Sequence, residues 1–243
     1  MNAIRIENLC KRYRGVTAVD GLSLTVKQGE LMALLGVNGA GKTTTVKMLS
    51  CLTVPDGGDA YLYDKSILRD AAEVKAMIAV SPQETAVAPG LTVRENLELM
   101  CGVHGFLREK REAQIAHVSA QLGLETVSRR KAGKLSGGWQ RRLSIAMALI
   151  SEPRILFLDE PTLGLDVLAR SDLWDVIRTL KGSGVTIILT THYMEEAEAL
   201  SDRVAIMKDG RLLVCDTPKQ IMAQTEADRF EDAFIRIVKE GRR

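Results

Sequence analysis

Leu35-Gly36-Val37-Asn38-Gly39-Ala40-Gly41-Lys42-Thr43-Thr44 constrains this chain more than any other stretch, because glycines, lysine and hydroxyl fall in the spacing of a phosphate-binding P-loop. The apolar run Leu31 to Leu35 predicts a buried strand before it, and Lys42 to Leu49 a helix after it, which is the setting the motif requires. Gly36, Gly39 and Gly41, with Asn38 and Ala40 between them, let backbone N–H groups crowd around a polyphosphate. Lys42 brings positive charge to the terminal phosphates. Thr43, followed by Thr44 in the same helix start, offers a hydroxyl to Mg²⁺. A simple glycine turn has no use for the Lys-Thr pair, so the pattern implies a nucleoside triphosphate.

Strand-like runs at Ala3 to Ile6 and Leu22 to Val26 precede the P-loop strand and predict a β-rich N-terminal portion. After a turn at Pro55-Asp56-Gly57-Gly58-Asp59, Ala60 to Tyr63 and Met77 to Val80 read as short strands. Helical periodicity then takes over from Leu91 to Leu124, with Val93, Leu97, Met100 and Cys101 on one face and Ile115, Val118 and Leu122 on another. This region reads as a helical insertion closed by Ser136-Gly137-Gly138, after which Trp139 to Ile150 reads as a helix starting on the two glycines. Strands at Ile155 to Leu158 and Val185 to Leu189 alternate with a helix at Ala169 to Leu180, which predicts an α/β fold with a mostly parallel, doubly covered sheet. Asp209-Gly210 marks a hairpin between Val204 to Met207 and Leu212 to Val214, and Phe230, Phe234, Ile237 and Val238 mark a last amphipathic helix. The expected division is a nucleotide-binding core over 1–86 and 151–243, including the N-terminal β subdomain, and a helical subdomain over 87–150.

Composition narrows the partners. A formal net charge of +2, with both signs interspersed, provides no basic stripe, so nucleic acid is not expected. Cys10, Cys51, Cys101 and Cys215 lack paired spacing and read as reduced thiols. The start of the chain has no signal-peptide pattern, and no run approaches the roughly 18 apolar residues of a membrane span, so a membrane role would need a partner.

Ile155-Leu156-Phe157-Leu158-Asp159-Glu160 places two carboxylates where a buried strand leaves the sheet. Asp159 suits Mg²⁺, and Glu160 suits orienting or deprotonating an attacking water. Helix-capping acids would fit the same position, but the P-loop upstream calls for a metal ligand there.

Together with Leu135-Ser136-Gly137-Gly138, Gln83, Gly164-Leu165-Asp166 and His192 in chain order, these residues make the chain resemble the ATP-binding subunits of ABC transporters over nearly its whole length. The resemblance implies a RecA-like P-loop NTPase core with an N-terminal antiparallel β subdomain and an inserted helical subdomain. It also implies a head-to-tail dimer, of two copies or with a related ATPase subunit. Each ATP would lie between Lys42 of one subunit and the Ser136-Gly137-Gly138 signature of the other. By the same resemblance Tyr13 stacks on adenine, Gln83 contacts Mg²⁺ and the attacking water, His192 is the switch histidine at the γ-phosphate, and Asp166 belongs to the D-loop. Read without it, Tyr13 would be a surface tyrosine in a basic segment, His192 a satisfied polar residue and Asp166 a helix N-cap. The family setting is the cytoplasmic face of a membrane, beside a separate membrane-spanning subunit. Two positions depart from the pattern: Trp139 stands where glutamine usually follows the signature, and Val167 where many relatives have proline. Phe230-Glu231-Asp232-Ala233-Phe234 resembles the end of ABC-2-type exporter subunits, although an amphipathic docking helix explains the same spacing. A soluble ABC ATPase acting on ribosomes or DNA is the alternative. It fits less well, because the chain has neither a second ATPase region nor a long coiled coil in its insertion.

Overall fold

The computed structural model describes residues 1–240; the last three residues of the expected 151–243 segment lie outside the described residues. The chain opens with long antiparallel strands β1 (Asn2–Tyr13) and β2 (Val16–Lys27), then β3 (Leu31–Leu35) and α1 (Lys42–Leu49). β4 (Gly57–Leu62), β5 (Lys65–Ser66), α2 (Ala71–Met77) and β6 (Ile78–Ser81) follow. Helices α3 (Val93–Val103), α4 (Arg108–Leu122) and α5 (Gly137–Leu149) come before β7 (Ile155–Asp159), α6 (Val167–Gly182) and β8 (Thr186–Thr191). The last elements are α7 (Met194–Leu200), β9 (Arg203–Lys208), β10 (Arg211–Asp216), α8 (Pro218–Gln224) and α9 (Phe230–Glu240).

β2-β1-β4-β5 form an antiparallel sheet, and β10-β9-β3-β8-β7-β6 a six-stranded sheet in which every pairing except β10 with β9 is parallel. The period-two geometry of strands sends alternate side chains to opposite faces. Ile155 and Phe157 of β7 join Met32 and Leu34 of β3 in a core shared with α1 and the antiparallel sheet. Leu156 and Leu158 point the other way into a core continuous with Val93, Leu97, Leu143 and Leu173 of the helices. Ala33 and Leu35 pack instead on Ala197, Ile221 and Phe230, so α7 to α9 cover the sheet beside them. Strands covered on both faces need unbroken apolar sequence, which is why β3 and β7 were legible as short runs.

The expected fold is observed, with local differences. β1 runs to Tyr13 rather than ending at Ile6, because register shifts against β2 interrupt the alternation that would have revealed its polar half. Met77 ends a helix rather than starting a strand. That helix, α2, buries Val74 alone and so shows no periodicity. The segment from Leu91 to Leu124 is two helices: α3 opens on a Thr92–Glu95 capping box, and α4 closes on Gly123 in the left-handed region at φ 66°. α5 starts at Gly137 behind Ser136 as N-cap, so its first turn takes in the two glycines on which the helix is expected to start, and it ends at Leu149.

Candidate functional site

β3 leads directly into a tight cradle. A Cβ on Gly36 would come within 2.4 Å of the Met207 carbonyl oxygen, and one on Gly41 within 2.4 Å of the Ala18 carbonyl oxygen; Gly41 also has φ 99°, which side-chain-bearing residues avoid. The β9–β10 turn braces the loop, with the Gly210 N–H donating to the Ala40 carbonyl at 3.3 Å. Lys42 opens α1 and is 5% exposed. Its Nζ donates to the Gly36 carbonyl at 2.7 Å and the Val37 carbonyl at 3.3 Å, and stands 3.7 Å from Glu160 Oε1. Burial pulls the Lys42 pKa below the ordinary lysine value, and the Glu160 and Asp159 carboxylates oppose that shift.

β7 carries the acids to the same place. Asp159 lies opposite Thr190 of β8, whose Oγ1 donates to Asp159 Oδ1; Thr43 Oγ1 donates to that same oxygen at 3.2 Å. A threonine hydroxyl beside a carboxylate is an oxygen set suited to a hard divalent cation. The next residue, Glu160, takes φ 45°, and its N–H donates to the Thr190 carbonyl at 3.1 Å and to Thr190 Oγ1 at 3.0 Å. A left-handed non-glycine backbone costs about 1–3 kcal/mol and persists where neighbours hold it. His192 Nδ1 lies 3.3 Å from Glu160 Oε2 but out of hydrogen-bond alignment, so this buried nitrogen has no partner. An open cavity of about 640 Å³ gathers Asn38 to Thr44, Gln83, Glu160 and His192, with Val16, Thr17, Ala18 and Leu163 completing its wall.

The signature residues lie elsewhere. Ser136 caps α5, and a Cβ on Gly138 would sit 3.1 Å from Ala169 Cβ, so the start of α6 leans on the start of α5. Asp166 Oδ1 accepts from the Ala169 N–H at 2.9 Å, confirming that Asp166 caps α6. Ser136 and Gly138 line a shallow concavity of about 50 Å³ with Trp139 and Arg142, apart from the P-loop cavity. Trp139 is half-buried on the helical core, and the Arg142 guanidinium lies 5.0 Å from its ring centre. Tyr13 ends β1, 42% exposed, with Lys11 Nζ 5.4 Å from its ring centre. Its hairpin neighbours Val16 to Ala18 wall the cavity, and Tyr13 is not among the wall residues.

A family model described as ABC transporter matches residues 19–163. The chain is 39% identical to the daunorubicin resistance ATP-binding protein DrrA3 of Streptomyces coeruleorubidus, over 94% of this chain and 72% of that one. It is 42% identical to the Nod factor export ATP-binding protein I of Burkholderia orbicola (strain AU 1054), over 90% and 72%. The chain belongs to the ABC transporter family. Among solved structures, cbiO1 of Clostridium perfringens, part of the ABC transporter complex cbiONQ, superposes with a TM-score of 0.86 at 26% identity, covering 93% of this chain and 92% of that one. The ATP-binding cassette MJ0796, a dimer in a post-hydrolysis state bound to ADP and Pi, gives 0.77 at 26% identity, covering 88% and 98%. As an ABC transporter ATPase, the chain binds ATP and couples its hydrolysis to transport.

Three residues of this ABC subunit escaped the sequence reading. Thr190 holds both acids, its Oγ1 donating to Asp159 Oδ1 and accepting from the Glu160 N–H. Glu196 is fully buried; its Oε1 accepts from Trp174 Nε1 at 3.2 Å, and burial pushes its pKa above the ordinary glutamate value. Arg141 is buried beneath the loop that carries Gln83. Each depends on contacts far apart in sequence, and no local pattern marks them.

Proposed function

We propose that this subunit powers export through a separate membrane-spanning subunit, by ATP-driven closure and hydrolysis-driven opening of a head-to-tail dimer of two copies or of related subunits. The carrying observation is the separation of the two anion-binding elements: the P-loop cavity holds Lys42, Glu160 and His192, whereas Ser136 and Gly138 line a concavity of their own. A helix N-terminus that attracts anions but lies outside its own chain's cavity is available to a nucleotide held by another subunit. In the division into a core over 1–86 and 151–243 and a helical subdomain over 87–150, the core carries the P-loop and the helical subdomain carries the signature.

Within the cavity, Lys42 and the N–H groups of residues 36–44 bind the polyphosphate, with Tyr13 at the adenine end. Thr43, Asp159 and Gln83 are the oxygen-bearing groups that would hold Mg²⁺, which when bound neutralises phosphate charge. Glu160 orients and deprotonates the attacking water, held in place by the Thr190 contacts to its N–H. His192, whose Nδ1 is unpartnered beside Glu160, faces the terminal phosphate. Ser136, Gly137 and Gly138 complete the partner's nucleotide site, and Asp166, at the N-cap of α6, is the D-loop residue beside them. No helix among the described residues is long and apolar enough to cross a membrane. The proposed placement is peripheral, on the cytoplasmic face beside its membrane-spanning partner, as the family resemblance implies.

Export rests on the likeness to the relatives above, a daunorubicin resistance ATP-binding protein and a Nod factor export ATP-binding protein. Co-expression with the membrane protein encoded beside this chain tests it. The subunit is expected in the membrane fraction when that neighbour is present, and the neighbour is expected to contain about six apolar spans of ~20 residues. Recovery on ribosomes with the membranes empty would refute the transport reading, and a neighbouring solute-binding protein would refute export.

A further inference from the structure

Arg141 lies on α5, just over one turn beyond Ser136, and is 5% exposed. Its guanidinium is used on main-chain carbonyls: Nη1 donates to Pro82 O at 2.6 Å and Nη2 to Gln83 O at 2.5 Å. One turn further along α5, Ser144 shares a hydroxyl contact of 3.2 Å with Ser81, the last residue of β6. The segment leaving β6 is therefore fastened to α5 at three successive residues.

A buried guanidinium is among the costliest groups to take from water, and an apolar side chain would fill the same space at lower cost. Burial works against the charged form of Arg141, and the field of Asp159 favours it. What arginine supplies that an apolar residue cannot is a rigid fork reaching two carbonyls at once. Because both bonds go to backbone oxygens, the Gln83 side chain stays exposed and free to line the nucleotide cavity.

We propose that Arg141 is a positioning residue for hydrolysis. It ties the main chain at Pro82–Gln83 to the helix that presents Ser136, so that Gln83 in one nucleotide site and the signature offered to the other move as one unit. The link rests on the role of Gln83 proposed above. Its consequence is that a change at Gln83 on one nucleotide is passed to the signature contact on the second.

The test is a double-mutant cycle in steady-state ATPase assays of the purified full chain, with melting curves for every variant. Arg141→Gln is expected to lower kcat by about tenfold or more, with KM for ATP within about twofold, since misplacing a catalytic group costs rate rather than ground-state binding. Arg141→Lys keeps the charge without the fork and is expected to recover only a fraction of the rate. On a Gln83→Ala background, Arg141→Gln is expected to cost less than about twofold more. A folded Arg141→Gln at full rate, a loss confined to KM, or an undiminished cost on a slow Gln83→Ala background overturns the inference while leaving the site reading intact. Gln83→Ala at full rate removes the role of Gln83, and the inference with it. Should Arg141→Gln fail to fold, Arg141→Lys carries the same cycle.

Discussion

Replacing Glu160 with glutamine is expected to separate binding from hydrolysis in the proposed site. Glutamine keeps the volume of the side chain, and the Thr190 contacts to the main-chain N–H are untouched. What disappears is the ability to take a proton from water, a contribution of about 10²–10⁴-fold, or about 2.7–5.4 kcal/mol of activation free energy. Binding responds differently. Glu160 Oε1 stands 3.7 Å from Lys42 Nζ, so with Lys42 in its proposed role the carboxylate is expected to compete with the nucleotide for that ammonium. A negative charge about 5 Å from a phosphate oxygen opposes it by roughly 3 kcal/mol at an effective dielectric constant of about 20. Neutralising Glu160 therefore leaves ATP affinity equal or stronger. Phosphate release at saturating Mg²⁺ and ATP, equilibrium titration with ATP, and size exclusion with and without ATP read the three quantities. The expected result is a rate lower by at least about 10²-fold, undiminished affinity, and a dimer that persists with ATP. A variant keeping more than about a tenth of the rate refutes the role of Glu160. One that stays monomeric with ATP demonstrably bound refutes the head-to-tail mechanism.

Trp139 packs on the helical core beneath Arg142, so Trp139→Gln is expected to lower ATPase activity by less than about tenfold, or about 1.4 kcal/mol, whereas Ser136→Arg abolishes ATP-dependent dimerisation while leaving nucleotide binding through Lys42. Equal loss in two variants with matching melting curves would place the indole in the active site. In Thr92→Ala the Glu95 N–H loses its acceptor and the Thr92–Glu95 capping box opens, which is expected to cost about 1 kcal/mol and to lower Tm by about 2–4 °C with kcat unchanged. An unchanged Tm contradicts it. Because burial raises the Glu196 pKa, the folded chain holds a proton that the unfolded chain releases, so this contribution to stability is fully present below the ordinary glutamate value and is lost as pH rises toward the raised one. Glu196→Gln is therefore expected to gain in Tm relative to the parent chain as pH rises above the ordinary glutamate range, and parallel Tm–pH curves would refute that assignment.

The P-loop, the Asp159–Glu160 strand end and the glycines of the signature were legible because each is a local requirement. A polyphosphate needs consecutive N–H groups and close backbone approach, and a strand covered on both faces needs an apolar run. At Gly36 and Gly41 carbonyls lie 2.4 Å from where a Cβ would be, so both positions leave no room for a side chain. Yet the atoms that enforce the requirement, on Met207 and Ala18, come from distant strands and could not be named from the sequence. The polar half of β1 and the short helix α2 stayed hidden for a different reason: register shifts and a single buried residue leave no period to detect.

The sequence by itself determined which chemical groups this ATPase carries and the local turns that display them, because the steric limits of a glycine loop or a buried strand act between near neighbours. Only the tertiary structure decided which groups meet. The order β3-β8-β7-β6 brings Thr190 onto Asp159 and Gln83 to the cavity that Lys42 lines, and the packing of α5 against β6 sets Arg141 under the Gln83 loop. The same packing keeps Ser136 out of the chain's own nucleotide cavity. These contacts join segments tens of residues apart, and their free energy comes from burying the sheet between two layers, which no local pattern encodes.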